Sequence, residues 1–322
     1  MKNRNYKPTI ILTLILGILL FIIIGSNPAD SKRQPKFIAA AYDESEDTDK
    51  IAYSIDGINW KTATMPVEAC WLSVCYGNGK FIALTDDDIA AYSNDGIKWT
   101  ETRLPISAFW ENVCYGNGRF VAVAYGNIAA YSFDGIKWTQ TRLPERSSWT
   151  GVCYGNGKFL AISASDMAVY SGDGINWKTT SLPYDAFWNS ICFGDGKFIA
   201  IDNTGFYVGY EAAYSEDGKK WETTRLPRVA NWSNVCYGNG KFVVVANSSK
   251  AAYSDNGIKW KTTEVPSKGT NIVNWSSACY GNGKFVAIAP GSEAAYSYDG
   301  VKWMPATMPY NADWRSICYG GD

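Results

Sequence analysis

Thiols and carboxylates are the reactive side chains that recur in this chain at regular intervals. The heptad CYGNGKF stands at Cys75–Phe81 and starts again at Cys153, Cys236 and Cys279. Near copies begin at Cys114 and Cys192, and a truncated one, CYGGD, begins at Cys318. Thiolates could hold a soft metal or pair as disulfides. Metal sites, however, use cysteines a few residues apart, and these lie 39 to 44 residues from one another. Each sits between Val, Ile or Ala and an aromatic residue, where a buried cysteine behaves as a small hydrophobe. Cys70, the eighth, lies outside the pattern. Histidine is absent, which removes imidazole bases, Ser–His and Cys–His nucleophile pairs and histidine metal sites.

The carboxylates gather in two runs. Asp43, Glu44, Glu46 and Asp47 form one, and Asp86, Asp87 and Asp88 form the other about one repeat later. A solvated charge run is the plain reading; converging oxygens for Ca²⁺ are the sharper one. Aromatic residues offer a third chemistry. Seven of the fourteen tryptophans open the strand that carries the cysteine: Trp71, Trp110, Trp149, Trp188, Trp232, Trp275 and Trp314. They are expected to pack between repeats or to form a stacking platform for sugars or peptides near a central channel. Phe206, Tyr207 and Tyr210 sit in a long loop and form a candidate contact patch. The net charge of −1 and the lack of a basic stripe leave no footprint for nucleic acid.

These residues are positioned by a repeat. A second signature, YS-x-D-G-x-x-W, runs in step with the heptad, from YSIDGINW at Tyr53–Trp60 to YSYDGVKW at Tyr296–Trp303. Each unit holds four short β-branched or aromatic runs bounded by turns. Trp232–Gly238 reads as strand A, Asn239–Gly240 as a type I′ hairpin turn, and Lys241–Val245 as strand B. Ala251–Ser254 follows as strand C and Ile258–Thr263 as strand D. Four strands in about 40 residues is the period of a β-propeller. The expected fold is an all-β, seven-bladed β-propeller with four-stranded blades, over residues 36–322. The truncated copy at Trp314–Gly320 supplies strand A of the last blade, and Lys36–Ala40 supplies its strand B, so the two chain ends close the ring.

The YS-x-D-G-x-x-W box resembles the Asp-box (BNR) repeat of the sialidase-like propellers, within the wider WD40/YVTN-like circle. In this chain Gly directly follows Asp, one residue earlier than in that repeat, and Asn256 replaces Asp in the sixth box. The resemblance implies hairpin-capping devices, one per unit. Arg103, Arg142 and Arg225 lie in a TRLP run at the end of strand D, and no Arg triad or Tyr–Glu pair accompanies them.

Ahead of the repeats, a basic segment (1–9) precedes an uncharged apolar run (10–25) and a polar stalk (26–35). The run reads as a transmembrane signal anchor with the propeller on the extracytoplasmic side, or as a cleaved signal peptide with the propeller secreted. The A–B and C–D turns are nearly invariant, whereas the B–C and D–A connections vary, so the variable face is the expected binding face. The expected function is a non-catalytic module that binds a protein or glycan and meets the membrane through its N-terminal helix. A sialidase-like glycoside hydrolase and an assembly or scaffold factor for a membrane complex are the alternatives.

Overall fold

The computed structural model describes residues 36–42, 48–203, 211–227, 230–267 and 273–321. One unit shows how the sequence builds the rest. Trp149–Gly155, Lys158–Ser163, Met167–Ser171 and Lys178–Ser181 pair in order as an antiparallel sheet. The second strand, KFLAIS, is buried from Phe159 onward because both faces are covered by neighbouring sheets. The fourth, KTTS, is largely exposed and forms the outer edge.

The turns are set by backbone requirements. Asn156 and Gly157 have φ of 45° and 73°, the pair of positive values a type I′ turn demands. In the box, Ser171 Oγ donates to Asp173 Oδ1 and accepts from the Gly174 N–H, both at 2.8 Å. Asp173 Oδ1 also accepts from the N–H groups of Ile175 and Asn176 at 2.9 and 2.8 Å. Asn256 serves equally well in the sixth box, since its Oδ1 accepts the same two bonds at 2.9 Å each. The box needs an acceptor, and a charge is optional.

The glycine of CYG answers to space. Its φ is not positive, yet a Cβ on Gly155 would stand 2.0 Å from Cγ of Phe193, and one on Gly77 2.0 Å from Cγ of Tyr115. The aromatic ring of each heptad lies flat on the glycine of the preceding unit. At the ring's closure, a Cβ on Gly320 would meet Phe81 at 2.3 Å.

The innermost strands follow one another around a closed circle, from Trp71–Gly77 to the Trp314–Gly320 part of the final strand, which returns to Trp71–Gly77. Hydrophobic clusters join successive units. In one of them, Cys153, Leu160 and Ile162 meet Trp188, Ile191 and Phe198. Polar bonds knit the tight-turn face in the same way. Asn156 Nδ2 donates to the Glu216 carbonyl at 2.9 Å and Lys158 Nζ to the Asp217 carbonyl at 2.7 Å. Across the seam, Lys284 Nζ donates to the Asp56 carbonyl at 2.8 Å.

Two expectations are corrected. The separate four-stranded blades number five, not seven; the remaining strands form a single seven-stranded sheet. The cause is the strand Met304–Gly320, which runs unbroken for 17 residues. Its first part pairs with Gly291–Ser297 and its last part with Lys36–Tyr42, so the two ends of the repeat array share one strand. In other units a single residue, Cys70 or Ser148, interrupts the equivalent passage. The second correction concerns the membrane. No helix among the described residues is long and apolar enough to cross one, and the expected anchor at 10–25 lies outside the described residues. A single-pass placement has no crossing element in the described fold, which is all strand and turn.

Candidate binding site

Trp71, Trp110, Trp149, Trp188, Trp232, Trp275 and Trp314 are all buried, at 0 to 1 % exposure. They pack in the clusters between units and present no face for stacking. A register shift follows the tryptophan in most of these strands, as between Trp71 and Ser73 or Trp188 and Ser190. This bulge directs the tryptophan into the interface and places the next residues on the axis. The channel there has a volume of about 180 Å³ and is lined by such residues as Ser73, Asn112, Gly151, Ser190, Asn234 and Ser316. Several of these close the circle: Ser73 Oγ accepts from the Val113 N–H at 3.2 Å, Ser190 Oγ from Val235 at 3.2 Å, and Ser316 Oγ from Val74 at 3.1 Å.

The strand cysteines are free thiols held in the same interfaces. Burial pushes Cys236 up to about 12 and raises Cys75, Cys114, Cys153, Cys192, Cys279 and Cys318 in the same direction. They are packing groups and poor nucleophiles.

The variable face carries a cleft of about 560 Å³ between two adjacent units. Asp86 and Asp87 stand on one side, Ser107 and Phe109 on the connection into Trp110–Gly116, and Tyr125, Gly126 and Arg146 on the other side. Phe109 and Tyr125 are 66 % and 55 % exposed. Their loops are tied together, since the Tyr125 N–H donates to the Phe109 carbonyl at 2.9 Å. Below them, the indole of Trp149 donates to the Gly126 carbonyl at 2.7 Å. Gly126 adopts a φ of 89°, a conformation that favours glycine. The tryptophan proposed as a platform thus supports the floor of the cleft from beneath.

The acidic run divides its tasks. Asp88 bonds Arg103 at 2.8 Å. Asp87 accepts from the Ser107 hydroxyl and the Asp88 N–H, which hold its carboxyl below the usual range. Glu111, beside the cleft, has its carboxyl pushed up by burial and then by the charge of Asp86. Among the described residues no three carboxylates or thiols are arranged to hold a metal. Asp43, Glu44, Glu46 and Asp47 lie outside the described residues, as do Phe206, Tyr207 and Tyr210. Sequence reasoning found Asp86 and Asp87 but missed Phe109, Tyr125, Arg146 and Glu111. Comparing the units column by column carries part of the missing signal: the column of Phe109 also holds Cys70, Ser148, Phe187, Asn231, Asn274 and Asp313, and that of Tyr125 also holds Tyr42, Asp86, Ala164, Asn203, Asn247 and Pro290, so one unit alone has an aromatic in both columns.

No family model and no curated protein matches the chain. Solved structures do. YCF48 from Cyanidioschyzon merolae aligns at a TM-score of 0.60 and 14 % identity, over 76 % of this chain and 87 % of that one. YCF48 bound to D1 peptide aligns at 0.58 and 14 %, over 78 % and 89 %. The computationally designed Ika8 protein aligns at 0.62 and 7 %, over 89 % and 92 %. At these identities the likeness shows one thing. The chain has a β-propeller fold.

Proposed function

We propose that this propeller is a non-catalytic binding module whose variable-face cleft holds an extended segment of a protein partner. The observation that carries the reading is the pair Phe109 and Tyr125, both exposed and both lining one cleft of about 560 Å³, whereas the tryptophans of the inner strands are buried. Exposed aromatics in a concave, rigidly framed site are typical anchors for a partner. A propeller of the same fold, YCF48, is seen bound to a peptide, which supports a polypeptide as occupant. The box residues offer no competing catalytic assignment, because their side chains are engaged in capping turns. The resemblance of the boxes to the Asp-box repeat belongs to this reading too, as a shared capping role.

The test is selection of a displayed random heptapeptide library on the full-length chain, with a glycan array in parallel. Peptides are expected to enrich, and Phe109→Ala/Tyr125→Ala should weaken their binding by about tenfold or more, the effect of losing roughly 1.4 kcal/mol. Binding of glycans alone, or peptide binding indifferent to both substitutions, would overturn the assignment.

A further inference from the structure

The same cleft has a chemical polarity that narrows its occupant. Asp86 and Asp87 line it beside two exposed aromatic rings, with Glu111 close to Asp86. Of the neighbouring carboxylates, Asp88 is matched by a cation, Arg103 at 2.8 Å, while no ion pair of the described residues includes Asp87 or Glu111. Glu111 lies near enough to Asp86 for the two charges to act on each other, so the acidic groups gather on one flank of the cleft, opposite Arg146. We infer that the cleft selects a lysine or arginine side chain on the bound segment, seated between Phe109 and Tyr125 with its charge toward Asp86 and Asp87. This rests on the peptide-binding reading above and specifies it.

The alternatives fit less well. A neutral apolar side chain would cover the exposed carboxylate of Asp87 and take water from it without replacing it, which is costly for an ionised group. An acidic side chain would face like charges. A basic side chain satisfies both surfaces at once, because its methylene stem lies along the rings and its cation meets their faces and the carboxylates. Arg146, across the cleft, gives the site a direction. It is placed to meet carbonyl oxygens or an acidic residue of the segment on the side away from Asp87.

The experiment uses the full-length chain and end-blocked hexapeptides from a positional-scanning library, with Lys, Arg, Gln, Leu or Glu fixed at each position in turn. At one position Lys and Arg are expected to bind about tenfold more tightly than Gln or Glu, and the difference should shrink as salt is raised. In Asp86→Asn/Asp87→Asn that preference should fall to about twofold or less, whereas Phe109→Ala/Tyr125→Ala should weaken every peptide. Asp87→Asn alone, at an exposed loop residue, provides the reading if the double variant unfolds. A preference for Leu, Gln or Glu that still depends on Phe109 would overturn the basic-residue inference and leave the peptide site standing. Absence of binding by all peptides would overturn both.

Discussion

The two faces of this propeller use the same four strands in opposite ways. On the tight-turn face each unit repeats the same turns, Asn156–Gly157 and Ser171–Gly174 having counterparts all around the ring. Those turns bond their neighbours' turns, so the face is a continuous fastening. On the other face the equivalent connections differ in length and content. Exposed aromatics occur on both faces, Phe133 and Tyr298 in the C–D turns at 57 and 54 % and Phe109, Tyr125 and Phe187 in the variable connections at 66, 55 and 49 %, but Phe109 and Tyr125 share a cleft. Repetition marks the residues that hold the ring together, and departure from repetition marks those free to recognise something.

That contrast can be broken by substitution. The largest effect is expected from Gly155→Ala, whose methyl would enter the ring of Phe193 at 2.0 Å and cost about 3 kcal/mol, the upper range for overpacking. Gly157→Ala should cost about 1 kcal/mol, because there is nothing within 4 Å of the new Cβ and only the left-handed φ is penalised. Gly172→Ala meets neither obstacle and should stay within about 0.5 kcal/mol. Urea unfolding of the three variants checks the order; equal losses at Gly155 and Gly157 would mean that conformation, not contact, fixes the CYG glycine.

Acid sharpens the same comparison. Burial opposes ionisation of Asp56, but the N–H groups of Asn59 and Ile58, the Asn59 amide and the Ser54 hydroxyl outweigh it and hold the carboxyl down at about 2. Asp95, Asp134, Asp173, Asp217 and Asp299 are lowered too, burial again opposed by hydrogen bonds except at Asp217, where backbone bonds dominate. A folded value below the unfolded one, about 3.9, stabilises fully above about pH 4 and is lost as pH falls toward 2. Asp56→Asn should therefore flatten the acid limb of the stability curve, with the Asn256 box as its natural precedent. The smallest effect belongs to the variable face: Phe109→Ala should change the unfolding free energy by about 0.5 kcal/mol or less while weakening peptide binding. A large loss of stability would move Phe109 into the scaffold.

Most of the scaffold is legible because its determinants are local and repeated. Asn-Gly and Asp-Gly turns reveal themselves within a few residues, and the strand between them follows. The number of separate sheets is different. It depends on whether residues such as Tyr310–Asp313 stay extended and pair with Gly291–Ser297 and Tyr42 on either side, which no motif encodes. Of the two roles expected for the strand tryptophans, packing between units is the one their burial shows, and a bulge keeps them from the channel. A one-residue bulge after Trp71 and its counterparts exchanges channel for interface, and alternation alone does not reveal a bulge. The cleft was half visible, as an acidic run, because neither aromatic column is unusual by itself: Phe187 shares that of Phe109 and Tyr42 that of Tyr125, and only their coincidence in one unit marks the site.

Sharing one strand between the two ends of the array has a consequence in time. The inner edge of Lys36–Tyr42 meets its partner only when Asp313–Gly320 exists, nearly the whole chain later. During synthesis Lys36–Tyr42 is made well before its partner, so the nascent ring is an open crescent with an uncovered β-edge until Asp313–Gly320 has emerged.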